Sequence, residues 1–184
     1  MRSAGRIPFI VIALKTGLRV GELLALKWED IDLVAGQLVV RRTLWQKQEG
    51  SPKGGKNRKV PLSDEAVAIL KGQRHLKGPY VFCETDGRRL THSRVKDAVP
   101  STCRKAQLSK RLTTHGLRHT FASHLVMRGV SLMAVKELLG HESIEMTLRY
   151  SHLSPDVKRD AVRLLDAPAT PSNGTLTAPR PGGG

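Results

Sequence analysis

Cysteine is scarce: Cys83 and Cys103 are the two in 184 residues. They share no metal-type spacing, and two lone thiols suit a reducing cytosol better than a disulfide framework. Aromatic residues make up only 4%, which argues against a single-strand platform that stacks bases on exposed rings. No apolar run approaches the roughly 18 residues of a membrane span, and Met1–Arg6 does not read as a signal peptide. A cytoplasmic protein with no membrane partner is expected. Acid is the most telling shortage. Sixteen Asp+Glu stand against 31 Lys+Arg, leaving a net charge of +15 and a pI near 10.5. That imbalance is the electrostatic footprint of a polyanion binder, with duplex phosphate the first expectation. The competing reading is charge that serves solubility alone.

At 39% hydrophobic residues, the chain has enough apolar material for one domain with its own core. No internal repeat is found. Residues 167–184 are rich in Pro, Gly and Thr, carry one charge (Arg180) and have no hydrophobic period, so a disordered tail is expected after a folded domain over residues 1–166. The basic residues are unevenly spread. Between Arg41 and Lys59 there are seven, against the single acid Glu49.

Ile7, Ile10, Val11 and Leu14 follow helical spacing, with Gly17 placed to end the helix. A second helix carries Val20, Leu23 and Leu24 and is expected to reach Lys27–Trp28. Short strands are expected at Gln37–Thr43 and Lys59–Leu62, joined by a hairpin-like polar loop, Gly50–Asn57. Ser63 caps a helix whose first turn holds Asp64 and Glu65, as the helix dipole favours. Thr91–Leu108 is helical in character, but Pro100 is expected to kink or split it. Thr114–Arg128 is a long helix with Leu117, Phe121, Leu125 and Val126 inward. Ser131–Leu139, stopped by Gly140, and Ser143–Tyr150 are two short helices. Ser154, with Pro155 in the first helical position, opens a last one bearing Val157, Ala161, Leu164 and Leu165. The expected fold is mostly α (α+β): a helical domain with a small antiparallel β-sheet or hairpin.

Several segments carry chemistry. Arg19 and Glu22 stand three apart in Thr16-Gly-Leu-Arg-Val-Gly-Glu22, so that the carboxylate can hold the guanidinium fork. His115-Gly-Leu-Arg118 sets an imidazole and a second guanidinium on one helical face. His141 follows the helix stop at Gly140, and Tyr150 lies nine residues further on. Each segment alone has a bland reading as a surface pair, a helical face or a half-buried aromatic. Together, in order and spacing, they resemble the catalytic domain of the tyrosine recombinase (phage integrase) family, most like its Xer and phage-integrase members, over about Ile7 to Leu165.

The resemblance implies a DNA-cutting and DNA-rejoining enzyme that works through a 3′-phosphotyrosine and needs no cofactor and no metal. The implied nucleophile is Tyr150. Arg19 and Arg118 are the implied phosphate-stabilising pair, His141 a further phosphate ligand and His115 the general base. Glu22 has a supporting role. Fixed guanidiniums suit the task, because charge builds on non-bridging oxygens in the transition state. The family's general acid is a lysine on a β-hairpin, and Ser51–Arg58 offers two. Lys53, five residues before Arg58, fits the family's register; Lys56 is then a phosphate contact, with Arg41, Arg42 and Arg58 as further expected DNA contacts. The terminal amphipathic helix implies pairing between copies on DNA, from a dimer to a tetramer at synapsis, and a nucleoid-associated location.

His115, His119 and His124 do not read as a metal cluster, since no Cys or acid lies nearby at ligand spacing. His119 fits the histidine-rich helix that the resemblance implies, without being a ligand, and His92 and His152 have no assigned role. Trp28 and Trp45 are expected in the core or on a sheet face. The family's N-terminal core-binding domain does not precede Ile7, so an excised fragment, a misplaced start or a decayed gene is expected. The competing functions are a non-catalytic DNA-binding remnant and, among enzymes, a type IB topoisomerase.

Overall fold

A computed structural model describes residues 3–46, 48–52, 54–108, 112–154 and 162. Helix α1 (Ser3–Thr16) is closed by Gly17 at φ +62°, whose N–H donates to the Ala13 carbonyl. Only a glycine fits there, because a Cβ would stand 2.3 Å from the Phe121 ring. Helix α2 (Val20–Ala25) is shorter than expected. Leu26 turns extended, Lys27 bridges to Tyr80, and Trp28–Asp30 forms a separate 3-10 turn.

Strands β1 (Ile31–Asp32), β2 (Gln37–Val40) and β5 (Arg58–Pro61) make an antiparallel sheet in the order β1-β2-β5, with Leu38 opposite both Ile31 and Val60. Between β2 and β5 a second hairpin, β3 (Thr43–Trp45) with β4 (Gln48–Gly50), stands on its own. Leu44 is its buried anchor, while Trp45 is 72% exposed; Trp28, by contrast, lies in the core.

Helix α3 (Asp64–Gln73) is capped by the Ser63 hydroxyl, as its sequence suggested. Helix α4 (His92–Lys105) runs through Pro100 without splitting, a correction to the expectation. The proline leaves the Lys96 carbonyl without its usual helical donor. Lys96 and Asp97 are on the exposed side, where water can satisfy that carbonyl, while Val95, Ala98 and Val99 keep the buried side packed. Helix α5 (Thr114–Met127) starts at the Thr113 cap, α6 (Leu132–Leu139) at the Ser131 cap, and α7 (Glu145–Leu148) is a single turn leading to Tyr150.

The core has two parts. The larger joins α1, α2, the sheet, α3 and α4 through residues such as Phe9, Ile12, Leu24, Leu38, Leu70 and Val99. The smaller, around Phe121, Val126, Val135 and Leu139, also encloses the Tyr150 ring. Among the described residues, no helix is long and apolar enough to cross a membrane. The expected tail and most of the last amphipathic segment lie outside the described residues.

Candidate functional site

The site forms where α5, the end of α6 and the α7 turn meet the start of α2. Residues 115, 118 and 119 sit at i, i+3 and i+4 of α5, so their side chains share one face. Arg118 is almost fully buried at 5% exposure. Its two terminal nitrogens donate to the carbonyls of Gly17 and Leu139, both at 2.7 Å. The guanidinium therefore ties the end of α1 to the end of α6. Burial, with Arg19 beside it, draws its pKa down to about 9, which still leaves it charged at neutral pH.

Arg19 is fixed by a different set. Its Nη1 donates to Glu22 Oε1 at 3.0 Å and its Nη2 to the Gly140 carbonyl at 3.1 Å. Its backbone N–H also donates to Glu22, at 2.8 Å. The pairing foreseen from the three-residue spacing is present. Glu22 itself is 2% exposed and is shared, because Arg58 donates two further hydrogen bonds to it at 2.8 and 2.7 Å. Burial pushes the Glu22 carboxyl up, but Arg58 and then Arg19 outweigh burial and hold it below the ordinary carboxylate value.

The expected DNA contacts divide. Arg58 spends its remaining nitrogen, Nε, on the Leu138 carbonyl at 3.1 Å. It is a brace between β5, α2 and α6. Arg42 is likewise committed, donating to both Asp30 oxygens and to Glu29. Arg41 pairs with Asp30 at 3.3 Å through Nε but remains half exposed. Lys56 is exposed in the loop before β5. Lys53 lies outside the described residues. The neighbouring Gly54 does approach Glu142 beside the site, since a Cβ on Gly54 would stand 3.4 Å from the Glu142 carboxylate.

Gly140 closes α6 in the left-handed conformation at φ +62°, with its own N–H donating to Glu137 and that of His141 to Lys136. This turn aims His141 back at α5. His141 Nδ1 pairs with the buried Thr147 hydroxyl at 2.8 Å. Burial, then the Arg118 and Arg19 guanidiniums, push the imidazole pKa down to about 4. The ring is neutral at pH 7. In the tautomer in which the Thr147 hydroxyl donates to Nδ1, Nε2 carries the proton and can donate to an anion.

Arg19, His115, Arg118, His119, His141, Arg149 and Tyr150 line one open cavity of about 390 Å³. Tyr150 is 6% exposed, and its hydroxyl stands 2.6 Å from His119 Nδ1. Burial pushes the phenol pKa above its ordinary value against the pull of Arg149 and Arg118. The His115 ring packs on that of His119, edge to face at 4.3 Å between centroids. Four lining residues carried no sequence assignment: His119 and Arg149, with Glu145 and Met146. His119 shares the face of His115 and Arg118 through its i+4 spacing, a signal that could have marked it. Arg149 adjoins Tyr150 in sequence but had no pattern of its own. Among the described residues no three His, Cys, Asp or Glu side chains converge as a metal site would require.

A pocket of guanidiniums and neutral imidazoles around a buried phenol has the chemistry to hold a phosphate beside a hydroxyl. Residues 4–156 match the Phage integrase family, and the chain belongs to that family. It is 35% identical over 150 residues to a tyrosine recombinase of Thermosipho africanus, covering 81% of this chain and 50% of that protein. The Tn1549 transposon integrase, solved in complex with transposon right end DNA, superposes with a TM-score of 0.74 at 26% identity, over 89% of this chain and 60% of that one. The catalytic domain of bacteriophage HP1 integrase superposes with a TM-score of 0.64 at 29% identity, over 89% of this chain and 84% of that one. The chain spans about half the length of the curated relatives it matches.

Proposed function

We propose that this chain cuts and rejoins duplex DNA as the catalytic domain of a site-specific recombinase. The observation that carries this reading is the convergence of Arg19, Arg118, His141 and Tyr150 on one cavity. Arg19 and Arg118 grip the non-bridging oxygens of the scissile phosphate, and both are pre-oriented by carbonyl or carboxylate partners, so little reorganisation is needed when charge develops there. Neutral His141 adds a further N–H donor. Tyr150 attacks phosphorus and leaves a 3′-phosphotyrosine, which keeps the phosphodiester's energy for rejoining. Lys53 supplies the proton for the departing 5′-oxygen. A non-catalytic remnant would have no use for a phenol enclosed beside two anchored guanidiniums.

The net charge of +15 supports duplex DNA as the partner. We further propose that the amphipathic sequence Ser154–Leu165 docks on a second copy of the chain on DNA, an apolar stripe in an apolar groove being a common mode of pairing. Removing residues 154–184 should leave a folded monomer that no longer associates on DNA; loss of folding would mean the segment packs on its own domain. The catalytic reading is tested with a nicked duplex whose cleaved fragment diffuses away. A covalent protein–DNA adduct that Tyr150→Phe abolishes is expected, while reversible binding alone would overturn it.

A further inference from the structure

Three features stand outside the roles assigned above. The exposed Trp45 marks the β3–β4 hairpin, a cleft beside α4 is lined by Lys96, Asp97 and Arg104, and His119 touches the nucleophile. The third has the most specific geometry. Of the two histidines on the active face of α5, it is His119 whose ring nitrogen meets the Tyr150 hydroxyl, at 2.6 Å. His115, one turn earlier and more exposed, packs edge to face on the His119 ring. A base must lie within hydrogen-bond reach of the proton it removes, and about 2.6–3.2 Å is that reach.

Resting on the recombinase reading, we propose that His119, through Nδ1, is the base that takes the Tyr150 proton, and that His115 acts on this step only through the His119 ring. In cleavage the Oη–H bond breaks and its proton passes to Nδ1, giving an imidazolium that keeps its Nε2 proton. The Oη–phosphorus bond forms as the bond from phosphorus to the 5′-oxygen breaks, and that oxygen leaves with the proton of the general acid. Rejoining runs the same transfers backwards, with His119 returning its proton to the departing tyrosinate.

The surroundings fit a base that waits for DNA. Burial, then the His115 ring and the Arg149 and Arg118 guanidiniums, hold the His119 pKa below the ordinary imidazole value. His119 is thus neutral and able to accept in the free chain. Two of those neighbours are fixed cations, so an imidazolium there is opposed until a phosphodiester brings negative charge into the cavity. Proton transfer is thereby tied to substrate binding.

The test compares His119→Asn, His119→Ala and Tyr150→Phe with the unaltered chain on the nicked duplex, with binding measured separately. Asn keeps a polar partner for the phenol but cannot take up a proton. Both His119 variants should bind DNA normally yet form adduct about 100-fold more slowly. Their rates should climb with pH toward the phenol's own ionisation, which burial holds above the ordinary tyrosine value, whereas the unaltered chain levels off once His119 is neutral. An Asn variant with near-normal rate and pH profile would overturn the proposal and leave His119 as a tether. Nitrogen NMR of free chain labelled at histidine is independent of any cleavage. It should show His119 with Nε2–H and an acceptor Nδ1 whose shift moves in Tyr150→Phe; an Nδ1–H tautomer would refute the assignment. If the unaltered chain makes no adduct, the recombinase reading fails by itself, and the NMR result still decides the contact.

Discussion

Arg58 should matter for stability far more than its place in a run of basic residues suggests. Its side chain is only 12% exposed, and it gives two hydrogen bonds to a Glu22 carboxylate that is 1% exposed. Removing one partner of a buried ion pair typically costs about 3–5 kcal/mol, because the other charge is left uncompensated. Arg19 still reaches Glu22 at 3.0 Å, so Arg58→Met should fall at the low end, about 3 kcal/mol. For a chain of this size that corresponds to a loss of about 6–12 °C in Tm. The assay is urea unfolding of Arg58→Met, Glu22→Met and the double variant. The double variant should lose less than the sum of the singles, with a coupling of about 1–3 kcal/mol. The same pair sets a pH dependence. Because the folded Glu22 pKa is lowered, its contribution is whole above the ordinary carboxylate value of 4.5 and fades as pH falls through the folded value beneath it. Arg58→Met should flatten that acid limb. A loss under about 1 kcal/mol, far below the range for a broken buried pair, or strict additivity, would refute the reasoning.

Other perturbations probe neighbouring parts of the site. Gly140→Ala puts a side chain at φ +62° and a Cβ 2.9 Å from Arg58 Cδ; a loss of about 1–3 kcal/mol in thermal unfolding is expected, with slower cleavage as Arg19 and His141 shift. DNA affinity should fall steeply with salt, its log–log slope about −0.9 per phosphate neutralised, and Lys56→Ala should lower that slope by about one, whereas Arg42→Ala should hardly change it. Lys53→Ala should slow cleavage of ordinary DNA and be rescued by a 5′-sulfur leaving group that needs no proton; rescue of Lys56→Ala instead would move the acid to that residue.

What was legible in the sequence is what local chemistry dictates. Ser63 caps its helix, Gly17 and Gly140 end theirs, and the 3.6-residue period of α5 brings His115 and Arg118 to one face. Partners across long separations were not legible. Arg58 lies 36 residues from Glu22 and 80 from Leu138, and nothing in the Arg41–Lys59 charge run distinguishes a braced arginine from a free one. The same holds for Arg42, whose acids belong to the turn at Trp28–Asp30. Strand β1 and the β3–β4 hairpin escaped because strands of two or three residues show no alternation to detect. Pro100 was over-weighted: its steric cost is real, but three buried neighbours outweigh it. His119 was set aside in rejecting a metal cluster, although its spacing placed it beside both motif residues.

The proposed cleavage joins Tyr150 covalently to a DNA 3′-phosphate. The direct measurement is mass spectrometry of the peptide carrying Tyr150 after trapping on the nicked duplex in the presence of EDTA, followed by nuclease digestion. A nucleotide-derived mass on Tyr150, linked to the 3′ side of the break, is expected, with a free 5′-hydroxyl on the released fragment. A modification on any other residue, a 5′ linkage, or saturated DNA binding with no adduct would contradict it.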